Sequence, residues 1–462
     1  MKSFHLVTTP IYETWLNNSK NLLAGEWCKI LKDDNITARY DYEVAEYHWD
    51  DRNKFFKDSA YLKSLNSRTL SVLTKELNLY HKADYPERFW QILIGPWLHK
   101  FINIIFDKYE ILSKINFYYK IDSSFILNLD PEHLVPFDTK TFSTFMRDDL
   151  WHHFIFSKLL INFFTINYKF VENSKNINSP NKKFIHSKTE QSTKYNLLNK
   201  FDLFSKKIFS TKKHEYFIKN SSLSIKDEIK LNFALNKSLT LNFYTPEKNF
   251  KEKKLNRGNF LNNLDINNDE FLKILFFMIR EQLPKIFLES FNELDENVEK
   301  LNWPKNPKKI FTANAYEFDE HFKLYSAQNI LKGSKLIIGQ HGGSLGMAKW
   351  NLPEEHQINI SDKYLSWGWQ GNKNIEDAFA FINFSNKKVN YKKNKRAIFI
   401  TYPVERYSCK TVAWPSSASQ SYDYMNSHIE FINNLKHDIR DDFVFRILKN
   451  ADDLFKTGYI DR

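Results

Sequence analysis

The sequence predicts an α/β fold with parallel, Rossmann-like sheets, and three stretches carry that expectation. In the middle of the chain, Lys309-Ile310-Phe311-Thr312 is strand-like. Phe318, Phe322 and Tyr325 then recur at i, i+4 and i+7, Gly333 supplies a helix stop, and Leu336-Ile337-Ile338 opens another strand. Strand, helix, strand is a parallel βαβ unit, whose loops gather at one edge of the sheet. Near the N-terminus, short apolar runs each stop at polar or acidic residues, as strands do when they deliver side chains to a common rim. Towards the C-terminus, Ala397–Thr401, a helical stripe of Met425, Ile429, Ile432, Leu435 and Ile439, and Phe443–Leu448 begin another such unit.

Taken in order, Phe4–Thr9 reads as the first buried strand and runs into the loop Thr9–Trp15. Asn21–Cys28 is an apolar run ending in Glu26 beside Trp27, and Glu43–Arg52 is a third, ending in His48-Trp49-Asp50-Asp51-Arg52. Asn53–Leu79 is predicted helical from Phe55, Leu62, Leu65, Leu73 and Leu77. Tyr85–Leu112 is a second helix, with Gly95-Pro96 as a kink or break. Asp149–Phe164 is an apolar helix holding His152 and His153, and neighbours on a helix point in different directions, which argues against joint metal ligation. Asp269–Leu294 is a helix with a kink at Pro284, and Tyr364–Trp369 is one more strand.

A length of 462 residues allows two or three domains. The expected division is an N-terminal domain over 1–370, a linker over 371–395 and the start of a C-terminal domain over 396–462. The last part supplies two strands where a doubly wound sheet needs roughly five or six, so it is expected to be incomplete. Charge is localised. Between Lys169 and Arg257 there are 20 Lys and Arg against 8 Asp and Glu, and the rest of the chain balances at 47 of each. Residues 172–257 therefore read as a basic, low-complexity insert, a solvated variable loop or a patch that meets an anionic surface. No run of 18 apolar residues is present, and the start lacks the h-region of a secretory signal. No nucleic-acid module is visible, and the two cysteines, Cys28 and Cys409, read as reduced thiols.

The loop Gln340-His341-Gly342-Gly343-Ser344-Leu345-Gly346 follows the strand at Leu336–Ile338. Glycines let backbone N–H groups approach a phosphate or carboxylate, and strand C-termini are where open α/β sheets bind ligands. The alternative is a tight turn with His341 as a satisfied polar residue. Neither GxxxxGK[ST] nor GxGxxG occurs, which removes P-loop and dinucleotide readings.

The motifs LVTTPIYETW, LAGEWC, EYHWDDR, FWQILIGPWL, IIGQHGGSLG and YLSWGW, in this order, resemble a family of transferases encoded in bacterial surface-polysaccharide gene clusters, the leptospiral LIC-type family. The match covers most of 1–165 and 260–462. The resemblance implies a GT-B-like glycosyltransferase: two Rossmann-like domains face each other, with the nucleotide sugar mainly on the C-terminal one. It implies a nucleotide-sugar donor, a glycan or lipid-linked acceptor, no cofactor and no metal. Apart from the resemblance, two reduced thiols in a chain without a signal read as cytoplasmic, and the basic 172–257 insert reads as a peripheral contact with the inner face of the inner membrane.

Such transfer needs a stabilised leaving phosphate and a positioned, often deprotonated, acceptor hydroxyl. His341, with Gln340, Gly342, Gly343 and Ser344, is assigned to the leaving phosphate or substrate. Thr401, Tyr402 and Arg406 lie just after a first strand, a phosphate-facing position in a Rossmann-like half. Asp50 and Asp51 are candidate bases, followed by Glu26 and His48, with Arg52 as ion-pair partner. Glu13 and Thr9 are weaker substrate contacts, Asn314 braces the loop, and Trp15, Trp27, Trp49 and Trp97 either floor a sugar site or pack in the core. Two rival readings are a sugar-nucleotide epimerase or other phosphate-handling enzyme, and a non-enzymatic binder of anionic polymers or membranes.

Overall fold

The computed structural model describes residues 3–29, 39–172, much of 197–264, 269–371, 374–384, 397–400, 407–408 and 420–446. The first part runs β1 (Ser3–Val7), β2 (Asn21–Leu23), β3 (Tyr42–Val44), α1 (Arg52–His81), α2 (Glu87–Tyr118), β4 (Lys120–Leu127), α3 (Thr139–Phe145), α4 (Asp149–Phe163) and β5 (Tyr168–Val171). The second runs β6 (Tyr216–Ile218), α5 (Ile225–Asn236), α6 (Glu270–Gln282), α7 (Phe291–Glu299), β7 (Lys309–Thr312), α8 (Ala315–Phe318), α9 (Glu320–Leu331), β8 (Lys335–Gly339), α10 (Leu352–Ile360), β9 (Lys363–Ser366) and β10 (Ile375–Asp377). A last part holds β11 (Ile398–Ile400), α11 (Ser421–Asn433), α12 (His437–Arg440) and β12 (Val444–Arg446).

Two five-stranded parallel sheets result, ordered β3-β2-β1-β4-β5 and β10-β9-β8-β7-β6. The first sheet reverses direction between β1 and β4, the switch point at which such sheets open a crevice. The expected βαβ unit is present, with β7 and β8 in parallel register, Ile310 opposite Leu336. Gly333, at a φ of 100°, turns the chain out of α9. β11 and β12 pair in parallel with each other.

Three expectations are corrected. Residues 1–370, read as one Rossmann-like domain, hold strands of two sheets. Ile375–Asp377, inside the stretch read as a linker, pairs with β9 as an edge strand. Tyr216–Ile218, inside the stretch read as an insert, pairs with β7 as the opposite edge. α5 starts where Ser224 Oγ accepts from the Asp227 amide, so part of the basic segment is built into the second sheet.

Both sheets share α2 as a core. It packs on α1, α4 and α6 and also on α9 and α10 of the second part. Pro96 does not break it. The flanking residues from Phe89 to Lys108 are almost all buried, so tertiary packing holds the helix through a residue without an N–H. The buried Lys323 ammonium donates to the Leu93 carbonyl at 3.0 Å, one turn before the proline. Pro284, by contrast, ends α6 rather than kinking it, and a short 3-10 turn at Lys285–Phe287 leads into α7. Among the described residues no helix is long and apolar enough to cross a membrane.

Candidate active site

Most of the described residues singled out above follow strands of the two sheets, at their C-terminal rims, and the rims differ. At the first rim, Thr8 and Thr9 end β1, and both are buried. Trp27 donates from its indole to the Thr8 carbonyl at 3.1 Å. His153 Nε2 accepts from the Leu127 amide at 3.0 Å, which fixes the proton on Nδ1, 3.5 Å from Thr8 Oγ1. Burial lowers the His153 pKa to about 4, so the ring is neutral. His152 turns the other way, with Nε2 on the Met146 carbonyl at 2.9 Å, and the two rings share no ligand site.

α2 carries a polar stripe into this rim that apolar patterning concealed. Asp107 accepts from Tyr47 Oη at 2.7 Å and from His48 Nε2 at 3.0 Å. Lys108 is buried beside it, over the rings of Phe156 and Tyr407. Tyr407 comes from the last part of the chain. It is 2% exposed, stacks on His152 with centroids 3.6 Å apart and donates to Asp149 Oδ1 at 2.6 Å. Ser408, beside it, lies 3.4 Å from Asn103 Nδ2. The first rim is therefore filled by the protein's own side chains.

The assigned bases divide. Asp51 caps α1, accepting from the amides of Asn53 at 2.9 Å and Lys54 at 3.2 Å. That is a structural duty, and it sets Asp51 apart from Asp50. Asp50 is exposed and accepts from Gln420 Nε2 at 3.0 Å. His48 is buried on Asp107, and Glu26 pairs with Lys29 at 2.5 Å, so neither is offered to an acceptor. Glu13 sits half-buried in the 3-10 turn after β1. Trp15, Trp27, Trp49 and Trp97 are all core residues. Thr401, Tyr402 and Arg406 lie outside the described residues.

His48, Asp58 and Glu110 offer ligand atoms within 4.8 Å of one another, the one such trio among the described residues. Lys54 Nζ already bridges Asp58 Oδ2 at 2.9 Å and Glu110 Oε2 at 2.7 Å. Its burial disfavours the ammonium, but the two carboxylates outweigh this and raise its pKa. The cluster is satisfied as an ion-pair network.

The second rim is open. His341 is exposed, and its Nδ1 lies 3.2 Å from Ser222 Oγ. Ser222 and Asn220 follow β6 with φ of 63° and 51°, left-handed conformations that non-glycine residues adopt at a cost. Asn314 follows β7, and its Oδ1 is buried without a hydrogen-bond partner among the described residues. Gln340 is not a substrate contact. It is 2% exposed and ties the loop down, donating to the carbonyls of Gly342 at 2.8 Å and Leu345 at 3.2 Å. Its Oε1 accepts from the Trp367 amide and the Trp369 indole, both at 2.8 Å. Gly346 has a φ of 80°, and a Cβ there would stand 2.6 Å from the Trp369 indole nitrogen. The amides of His341, Gly342, Gly343 and Ser344 make no hydrogen bond among the described residues. Amides without partners next to an exposed imidazole are the groups from which an anion site is built.

Beyond these amides, Trp350 stacks on Phe56 with centroids 4.6 Å apart, and the Arg52 guanidinium lies over the Phe55 ring at 4.9 Å. The loop thus reaches the start of α1, the corner where Asp50 lies. Ser222 was not foreseen because it stands in the basic stretch. Its signal was the apolar triplet Tyr216-Phe217-Ile218 followed by the helix cap Ser224-x-x-Asp227.

No curated protein and no solved structure matches the chain. Residues 4–460 match the family model described as LIC12162 family transferase, and with nearly its whole length covered the chain belongs to that family.

Proposed function

We propose that this transferase is a GT-B-like glycosyltransferase that moves a sugar from a nucleotide-activated donor in bacterial surface polysaccharide (O-antigen or capsule) biosynthesis. The observation that supports the reading most is the loop of the second rim, where His341 is exposed and the amides of residues 341–344 make no hydrogen bond among the described residues. Glycosyl transfer develops negative charge on the leaving phosphate, and fixed N–H donors stabilise it without reorganising. His341 adds a donor or an acceptor. If Ser222 donates to Nδ1, then Nε2–H faces the phosphate; if Nδ1 donates to Ser222, Nε2 is free to take a proton. Ser344 and the amides of Gly342 and Gly343 hold the anion. Asp50 is assigned to the acceptor hydroxyl as base, and Thr401, Tyr402 and Arg406 to the donor phosphates. In this reading the acceptor is a glycan or a lipid-linked glycan. The enzyme works without a metal at the inner face of the membrane, and the basic 172–257 segment touches anionic lipid.

A thermal-shift panel of CMP, UDP, GDP and dTDP tests it. One nucleotide is expected to raise the melting temperature of the wild type and not that of His341→Ala. No shift from any of the four, or equal shifts in both proteins, overturns the assignment. Release of a free epimer without an acceptor overturns transfer in favour of epimerisation.

A further inference from the structure

A cavity of about 660 Å³ lies against one face of the second sheet, within the roughly 300–1,000 Å³ of small-molecule sites. Its floor is Ile218, Phe311, Ile337 and Leu365 on four adjacent strands. Leu231 of α5 and Phe381 close its sides. The lining is almost wholly apolar, so it suits a hydrocarbon and not a sugar or nucleotide.

Two further observations narrow the occupant. Large apolar side chains stay exposed around the cavity, with Phe379 at 48% and Phe384 at 59%, a pattern that marks contact with a partner or membrane. The cavity also carries two lysines against one acid. Asp227 is engaged by Ser224 Oγ at 2.6 Å and faces Lys230 at 3.8 Å, while Lys309 has no ion-pair partner among the described residues. The stretch of sequence that supplies β6 and α5 is itself basic, with 20 Lys and Arg against 8 Asp and Glu between Lys169 and Arg257. An apolar slot with a cationic border fits an anionic amphiphile. A second copy of the chain would instead bring two such basic surfaces together.

We propose that this cavity takes one hydrocarbon chain of an anionic membrane lipid, with the lipid phosphate held by Lys230 and Lys309. The inference rests on the peripheral membrane contact proposed above and gives it a site. It does not depend on sugar transfer, so it is tested without any nucleotide.

The test is co-sedimentation of the 462-residue chain with phosphatidylcholine vesicles, with and without phosphatidylglycerol. Wild-type protein is expected to bind only the anionic vesicles. Lys309→Gln should weaken that binding by about fivefold, the contribution of one lysine near an anionic surface. Leu365→Trp, which fills the cavity, should abolish it while leaving the melting curve cooperative. Dodecyl phosphate supplies a soluble probe that remains informative if Leu365→Trp does not fold: it should stabilise the wild type more than Lys309→Gln. Equal stabilisation of the two overturns the site. Binding to anionic vesicles unchanged in both variants keeps the membrane contact but removes the cavity from it. No binding by the wild type removes both. A concentration-dependent dimer abolished by Leu365→Trp makes a second copy the occupant.

Discussion

The rims of the two sheets carry the same kinds of residue and end in opposite states. Each is reached by parallel strands that stop at threonine, histidine or acidic side chains. At the first, Thr9, His48, His152 and His153 are buried, and Tyr407 stacks on His152. At the second, His341 and Ser344 are exposed, and neighbouring amides make no hydrogen bond among the described residues. The difference lies in what covers each rim. α2 sends Asn103, Asp107 and Lys108 into the first, and each acts on a group there. The second is bounded by a loop that Gln340 pins from beneath, so its upper surface faces solvent. A polar residue at a strand end therefore foretells a rim, and the elements stacked on it decide whether a ligand can enter.

The contrast breaks first at Asp107, where the largest effect is expected. Asp107→Ala leaves Tyr47, His48 and Lys108 buried without their shared carboxylate, and should cost about 3–5 kcal/mol of stability. Asp107→Asn, which keeps one acceptor, should cost less. Chemical denaturation measures both, and an Asp107→Ala protein as stable as the wild type would show that the first rim is not sewn shut. The matching change at the open rim, His341→Ala, should leave stability within about 0.5 kcal/mol. It should lower the transfer rate at least about tenfold, the loss of one contact to developing charge. A stability loss with unchanged rate would reverse the two assignments.

Acid is expected to act strongly through two buried histidines. Burial lowers the pKa of His153 to about 4 and of His356 to about 3, from 6.5. Above 6.5 neither state binds the proton, so these groups leave stability flat. Below it the unfolded chain takes up protons that the folded rings refuse, and stability falls until the folded pKa is reached. From about pH 7 to about pH 5 each ring should cost roughly 2 kcal/mol. Urea titrations of the wild type and of His153→Gln, whose amide oxygen can still accept from Leu127, should show a shallower slope in the variant. Equal slopes would place the acid sensitivity elsewhere. His356 also explains Gly95: a Cβ there would stand 2.3 Å from the imidazole ring. Gly95→Ala should therefore cost about 1–3 kcal/mol by overpacking, and an Ala as stable as the wild type would mean that α2 can shift away from α10.

Much of this architecture was legible in sequence where periodicity and termination agreed. Lys309–Thr312, the Phe322 helix, Gly333 and the strand at Leu336 became β7, α9, its stop and β8. What periodicity cannot report is partnership. Tyr216–Ile218 is an apolar triplet among lysine and asparagine, and three residues signal a strand without saying which strand it joins. The polar stripe of α2 is hidden from periodicity because isolated polar residues in an apolar helix change its mean little. Pro96 and Pro284 looked alike, but only the first is enclosed by packing strong enough to hold a helix through it. At the site, the loop at 340–346 was found from its glycines. The division of labour within it is not legible, because burial of Gln340 and exposure of His341 depend on which way the backbone turns each side chain.

Asp50 and Asp51 give the smallest expected effect and the finest division between the rims. They are adjacent and chemically identical, yet Asp51 spends its Oδ1 on two amides at the start of α1, while Asp50 is exposed and meets Gln420. Asp51→Ala should cost about 1 kcal/mol, the usual value of an N-cap, and Asp51→Ser should restore most of it, because a hydroxyl can accept the same bonds. Neither should change the transfer rate of the folded protein. Asp50→Asn should do the reverse, leaving stability unchanged while slowing transfer and flattening its dependence on pH. If Asp51→Ser folds as well as the wild type yet loses activity, the cap is also the base, and the acceptor must approach the start of α1 from the side that Arg52, Phe56 and Trp350 now line.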